Sequence, residues 1–345
     1  MTRILVVGPA WIGDMVMAQS LFITLKQRFP DCEIDVLAPA WSKPLLARMP
    51  EVNSSIAMPL GHGEFGFGAR RRLGRLLRGR YDQVIVLPRS WKSALVPFFA
   101  RIPKRTGYRG EWRYGLINDM CALDKSRLTQ TVQRFVALGL EHDAPLPPVD
   151  IPKPRLRVDP QNQKTLLEKL ALNLDQPVVA LMPGAEYGPA KRWPVERYGE
   201  LAKQLLASGK QVWVFGSVRE QSLGEEITRI AGNRIVNLCG STRLEDVVDL
   251  LALAETAVTN DSGLMHIAAA VGVKLVAIYG SSSPDYTPPL SDKAEIVYLR
   301  IECSPCFQRE CPLKHLNCLN QITVDKIHRR VISPSFQPSP QGKRV

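Results

Sequence analysis

Three short segments combine residue types that could do chemistry together. Residues 8–15, Gly-Pro-Ala-Trp-Ile-Gly-Asp-Met, follow an apolar run, so a glycine-rich turn delivers the Asp14 carboxylate to the start of a helix. There Asp14 is either a general base facing a ligand or a helix cap accepting backbone N–H bonds. Residues 183–194, Pro-Gly-Ala-Glu-Tyr-Gly-Pro-Ala-Lys-Arg-Trp-Pro, put Lys191 and Arg192 just before a helix that Pro194 can start. Paired cations in such a loop suit a pyrophosphate; the alternative is an exposed basic turn. Residues 259–266, Thr-Asn-Asp-Ser-Gly-Leu-Met-His, open a further helix. Gly263 allows close backbone approach, and the unpaired N–H groups and dipole of the helix start favour a diphosphate. Singly, Asp261 or Ser262 reads as an ordinary cap and His266 as a core histidine. Beside Lys191 on one sheet edge, the set reads as a nucleotide site.

These segments need scaffolding, and the chain supplies a repeating pattern of short β-branched run, turn and amphipathic helix, the signature of parallel α/β structure. Strands are expected at 3–8, 33–37, 55–58, 82–87 and 105–108, with a helix from Met15 to Phe29 stopped by Pro30. The second half predicts strands at 177–182, 211–216, 234–238, 256–259 and 274–279, alternating with helices at 195–208, 219–231, 244–254 and 263–271. A length of 345 residues fits two domains. Six prolines between 145 and 160 mark a stiff connector. The expected division is a first domain at 1–150, a proline-rich linker at 151–160, a second domain at 161–332 and a disordered tail at 333–345. Each domain is expected to be a doubly wound α/β sheet binding its ligand outside the carboxyl ends of its strands. Two such domains facing each other would frame a cleft. The first loop matches neither G-x-G-x-x-G nor G-x-x-x-x-G-K-[ST], which argues against a classical NAD enzyme and a nucleoside triphosphatase.

The net charge is +12, and it is localised. Residues 70–113 hold thirteen Lys and Arg against two acidic residues, whereas the rest of the chain holds 32 against 31. Eleven of the thirteen are Arg, the residue suited to bidentate contact with phosphate or carboxylate. A solvated helix face and an anionic-surface or nucleic-acid module are the competing explanations. The segment carries no recognised nucleic-acid motif. The first apolar run ends at Gly8-Pro9, too short for a signal peptide, and no stretch approaches a spanning helix. The chain is thus expected to be soluble and cytosolic. Cys303, Cys306, Cys311 and Cys318, with His315 among them, allow a structural zinc site, free thiols or disulfide chemistry.

The motifs at 8–15, 38–41 (Ala-Pro-Ala-Trp), 48–53 (Arg-Met-Pro-Glu-Val-Asn), 58–63 (Met-Pro-Leu-Gly-His-Gly), 93–99, 113–116 (Arg-Tyr-Gly-Leu), 183–194 and 260–266 together resemble the bacterial lipopolysaccharide heptosyltransferase family. The likeness runs from residue 1 to about 290. It implies a GT-B architecture, with the first domain taking a lipid-linked acceptor and the second ADP-heptose. It also implies inverting transfer of L-glycero-D-manno-heptose to the first heptose of the inner core, in heptosyl-Kdo2-lipid A. The Pro-Gly-Ala-Glu and Gly-His-Gly segments favour that acceptor over the alternative, Kdo2-lipid A. By the same resemblance Asp14 would be the general base, and Lys191 would contact the donor phosphate and sugar. Ser262 and Gly263 would hold the diphosphate, Asp261 and His266 would lie against heptose and phosphates, Glu220 would hold the ribose hydroxyls, and Thr242 would border the adenine. Acceptor phosphates and carboxylates would meet Arg70, Arg72, Arg89, Lys92, Arg109 and Arg113. No Asp-x-Asp occurs, so neither metal nor cofactor is expected. The protein is expected to act peripherally on the cytoplasmic face of the inner membrane, without nucleic acid.

Overall fold

A computed structural model of the chain describes residues 2–61 and 64–333, and it divides into two compact units, Met1–Arg155 and Leu156–Val345. His62 and Gly63 of the Gly-His-Gly segment, and the expected tail from 334 on, lie outside the described residues.

The first unit is built on six parallel strands, β1 (Arg3–Val7), β2 (Glu33–Pro39), β3 (Val52–Met58), β4 (Gln83–Val86), β5 (Lys104–Tyr108) and β6 (Asp119–Cys121), in the order β3-β2-β1-β4-β5-β6. Ile4, Leu5, Val6 and Val7 are buried, which is why β1 reads as an unbroken apolar run rather than an alternating one. The helix Ile12–Arg28 buries Met15, Val16, Leu21, Phe22 and Leu25 and carries Lys26 and Arg28 in its last turn, where cations offset the C-terminal dipole.

The second unit repeats the winding with β7 (Val178–Met182), β8 (Gln211–Val214), β9 (Val236–Asn237), β10 (Thr256–Asn260), β11 (Lys274–Tyr279) and β12 (Ala294–Tyr298), ordered β12-β11-β10-β7-β8-β9. All of its pairings are parallel. The helix Val195–Ala207 packs Tyr198, Leu201 and Leu205 into a core with Trp193, Val214, Val258 and Ile278. Gly209, at φ +75°, turns the chain after it.

Four expectations need adjusting. The first helix begins at Ile12, not Met15. β9 spans two residues of the expected five. The edge strands β6 and β12 were not expected: β6 is three residues long, and β12 alternates half-buried with buried positions. Pro160, read as part of the linker, is the first residue of the helix Pro160–Lys169, whose cap Asp159 accepts from the Gln161 and Asn162 backbone N–H groups at 3.0 and 3.2 Å. A proline there needs no N–H partner and brings the right φ, so it starts a helix as readily as it stiffens a linker.

Candidate active site

In each sheet the strand order reverses once, between β1 and β4 and between β7 and β10. Chains leaving the carboxyl ends of the two strands at such a reversal diverge and leave a crevice. The loops with chemical potential sit at these two points.

In the first unit, the loop after β1 leads into Trp11, the residue at the N-cap, whose side chain makes no capping bond. Asp14 is therefore the third helical residue, inside the first turn, where the helix dipole favours a carboxylate. It is half-buried. The cap position itself is occupied by Trp11, so Asp14 acts on the helix start from within its first turn. Arg89 and Lys92 follow β4, and Arg109 follows β5, so these three cations share the sheet edge that releases Asp14. Arg89 and Arg109 are exposed, and Arg109 Nε donates to the Tyr114 hydroxyl at 2.9 Å. Arg72 is exposed on the helix Phe67–Leu76.

Arg70 and Arg113 differ from the other cations in being buried. Arg70 is buried and spends its guanidinium on the carbonyls of Phe65 (2.7 Å), Lys92 (3.1 Å) and Glu64 (3.3 Å). Arg113 is buried between Pro88 and Tyr108, donating to both carbonyls. Burial lowers its pKa to about 10, so it remains a cation that pins two loops. Both guanidinium groups are thus turned toward main-chain carbonyls rather than toward solvent.

In the second unit, Lys191 Nζ meets Asp261 Oδ2 at 2.5 Å, joining the loop after β7 to the residue after β10. Asp261 is 5% and Lys191 18% exposed, so the pair is shielded yet reachable. Asp261 also accepts from Thr287 Oγ1 at 3.4 Å. Ser262 caps the helix Gly263–Ala270 in extended conformation without a capping bond from its own hydroxyl. His266, one turn in, is buried, and loss of solvent pulls its imidazole down to about 4 against the raising influence of Asp261. It is thus a neutral hydrogen-bonding group at pH 7, not a phosphate-binding cation. Glu220, after β8, accepts from the Ser217 N–H at 2.7 Å and leaves Oε1 against Gly184. A Cβ on Gly184 would lie 1.6 Å from that oxygen, so a side chain there would force the Glu220 carboxylate to move. The Thr242 hydroxyl is buried and has no partner among the described residues.

Several residues at this edge escaped sequence reasoning. Asn260, fully buried at the end of β10, donates to the Pro183 carbonyl at 2.7 Å and accepts from the Trp193 N–H at 3.0 Å and the Tyr198 hydroxyl at 3.2 Å. It locks both ends of the Lys191 loop to the strand that carries Asp261. Ser281 and Ser282, past β11, hold buried hydroxyls without partners among the described residues. Such hydroxyls cost about 1–3 kcal/mol each unless a ligand completes them. A serine run directly after an apolar strand was the available signal. Tyr187 lies under Lys191, with Nζ 5.1 Å from its ring centroid, and its hydroxyl donates to the Phe307 carbonyl at 2.8 Å.

Phe307 belongs to the cysteine segment, which backs the Lys191 loop: the Ala190 N–H donates to the Arg309 carbonyl at 3.0 Å. Cys303, Cys306, Cys311 and Cys318 line one small cavity with Ala190, Ser281 and His315. Burial, and then the three neighbouring thiols, push Cys318 up to about 11. All seven cysteines are free thiols in this structure, and among the described residues no group of three or more His, Cys, Asp or Glu is arranged to hold a metal ion.

Residues 70–317 match the model of glycosyltransferase family 9 (heptosyltransferase). The chain is 52% identical over 306 residues to lipopolysaccharide heptosyltransferase 2 of Salmonella typhimurium, covering 86% of this chain and 88% of that protein. It is 52% identical over 307 residues to lipooligosaccharide heptosyltransferase 2 of Haemophilus influenzae, with the same coverage. The solved structure of Escherichia coli ADP-heptose lps heptosyltransferase II is similar at a TM-score of 0.85 and 45% identity, over 96% of this chain and 97% of that one.

Proposed function

The chain belongs to glycosyltransferase family 9, the heptosyltransferases, and from that membership we infer that its second unit holds the donor while its first presents the acceptor to Asp14. The enzyme transfers heptose from ADP-heptose to the inner core of lipopolysaccharide. The acceptor is the first heptose of heptosyl-Kdo2-lipid A, and the anomeric centre inverts.

The observation that carries the donor assignment is the Lys191–Asp261 pair at the reversal of the second sheet, beside the start of the helix Gly263–Ala270. An ammonium has three N–H donors, and Asp261 takes one. The others meet the donor diphosphate, whose charge the Ser262 and Gly263 backbone shares at the helix start. Glu220 holds the ribose hydroxyls and Thr242 borders the adenine. His266 contributes a neutral hydrogen bond. In the reaction Asp14 accepts the proton of the acceptor hydroxyl as its oxygen bonds to the anomeric carbon. The carbon–oxygen bond to ADP breaks, and ADP leaves with the electron pair. Lys191 and the helix start stabilise the negative charge that develops there, at a position prepared before the reaction begins.

Arg89, Lys92, Arg109 and Arg72 meet acceptor phosphates and carboxylates, and these cations serve no nucleic acid. Because the acceptor is a lipid, the enzyme works peripherally at the cytoplasmic face of the inner membrane; among the described residues no helix is long and apolar enough to cross a membrane. The test is ADP release by purified enzyme. Release is expected only with ADP-heptose and heptosyl-Kdo2-lipid A together, with an inverted linkage in the product. Equal release with Kdo2-lipid A would move the enzyme to the preceding transfer, and release without any acceptor would overturn the assignment.

A further inference from the structure

The first unit carries a second cationic feature, apart from the cations beside Asp14. Arg71, Arg75, Arg78, Arg101 and Arg105 surround one cavity of about 440 Å³, with Phe98 and Phe99 as its apolar wall. Arg105 is held by the carbonyls of Ile102 and Leu116, both at 2.7 Å. The side chains of Arg71, Arg75, Arg78 and Arg101 have no ion-pair or hydrogen-bond partner among the described residues, and no acidic residue lines the cavity. Arg101 and Arg105 flank the start of β5, so the cavity lies toward the amino ends of the strands, whereas Asp14 leaves a carboxyl end. Four unneutralised guanidinium groups facing one space repel each other, and an anion placed there relieves the repulsion.

A chain of aromatic rings leads away from this cavity. Phe98 and Phe99 lie 5.6 Å apart, Phe99 and Phe67 5.4 Å, Phe67 and Phe65 6.0 Å, and Phe65 and Trp91 5.0 Å. Phe98, Phe67, Phe65 and Trp91 are each 38–46% exposed, although large aromatic rings are normally covered. The far end, Trp91, adjoins Lys92 on the edge that carries the acceptor candidates. Rings flanked by arginine are what a surface needs to sit at the headgroup level of a bilayer, with the rings among the upper acyl groups and the guanidinium groups on lipid phosphates.

We propose that the arginine cavity and the adjoining aromatic stripe form a docking face for an anionic phospholipid bilayer. This rests on the assignment of a lipid-linked acceptor: a bilayer lying along the stripe leaves the acceptor lipid in the membrane while its sugar reaches the edge at Asp14. The occupant is a bilayer rather than a soluble anion because the cations continue into exposed apolar surface, which free phosphate cannot use.

The experiment is co-sedimentation of the full chain with vesicles of phosphatidylcholine alone or with one-third phosphatidylglycerol. The native protein is compared with the triple variant Arg75→Gln, Arg78→Gln, Arg101→Gln and with Phe98→Ser. Native protein is expected to bind the anionic vesicles and not the neutral ones. The triple variant is expected to lose on the order of 100-fold in partitioning, at about fivefold per arginine near an anionic surface. Phe98→Ser is expected to lose several-fold with no change in the salt dependence. Turnover of a detergent-dispersed acceptor and ADP affinity should be unchanged in both. Binding of the triple variant equal to native, or equal binding to neutral vesicles, would overturn the docking face. A loss confined to the acceptor KM in detergent would do so as well, by making the cavity an acceptor subsite. Vesicle binding is read without catalysis, so a failure of the heptosyltransferase assignment would show separately, as absent ADP release by native enzyme.

Discussion

At the scale of single residues, two charged side chains divide the work. The helix dipole steadies the Asp14 carboxylate, by about 0.3–1 kcal/mol. It takes a proton from a hydroxyl as that oxygen bonds to carbon and becomes acidic. Asp14→Asn is expected to keep ADP-heptose affinity while kcat falls about 10²- to 10⁴-fold; turnover near native would leave Asp14 a helix-start residue and nothing more. Lys191→Ala is expected to weaken donor binding and turnover together. It also strands Asp261, at a cost of about 1–3 kcal/mol, less than for a fully buried pair because Lys191 is 18% exposed. Adding Asp261→Asn should restore the melting temperature but not the donor affinity, and recovery of both would show that Lys191 only neutralises Asp261. His266 gives a pH signature. Its folded value of about 4 lies below the ordinary histidine value, so its stabilising contribution is complete above about pH 6.5 and is lost as the pH falls toward 4. The loss amounts to roughly 3 kcal/mol at most. Unfolding followed by denaturant at pH 4.5 and 7 should show a smaller difference in His266→Asn than in the native chain, and equal differences would remove His266 from the account.

At the scale of elements, the second unit's edge is a set of loops held in contact from different strands. Asn260 ties both ends of the Lys191 loop to β10, the cysteine segment supports that loop from behind, and Gly184 leaves room for Glu220. Gly184→Ala tests this contact. A methyl there meets the Glu220 carboxylate, which rotates away because it stands at the end of a half-exposed side chain. Calorimetric titration should show ADP affinity down by about tenfold or more, since losing a hydrogen bond to a charged group costs about 1.5–3 kcal/mol, with the melting temperature nearly unchanged. Unaltered ADP affinity would take Glu220 out of the ribose contacts.

At the scale of the whole molecule, the net charge of +12 is concentrated in the first unit, while the donor's charge is met by a few residues of the second. Exposed charges are screened beyond about 8 Å at physiological ionic strength, whereas a shielded pair is not. Raising salt from 50 to 300 mM should therefore increase the acceptor KM several-fold and the donor KM little, and equal sensitivity would make the basic region an ordinary solvated surface. By itself the sequence determined where the loops of interest begin and which kind of element follows each: the turn at Gly8, the helix stopped before Pro30, the helix opening at Gly263. These depend on dihedral limits and hydrogen bonds within a few residues, which travel with the local sequence. It also located the excess charge, because charge is a property of composition. Tertiary structure alone decided which arginines are available. Arg70 and Arg113 look no different in sequence from Arg75 or Arg101, yet the first two are buried against distant carbonyls and the others face an open cavity. It alone joined Lys191 to Asp261, seventy positions apart, and made Asn260 the lock between their loops. Burial and pairing depend on what arrives from elsewhere in the chain, and no window of neighbouring residues contains that.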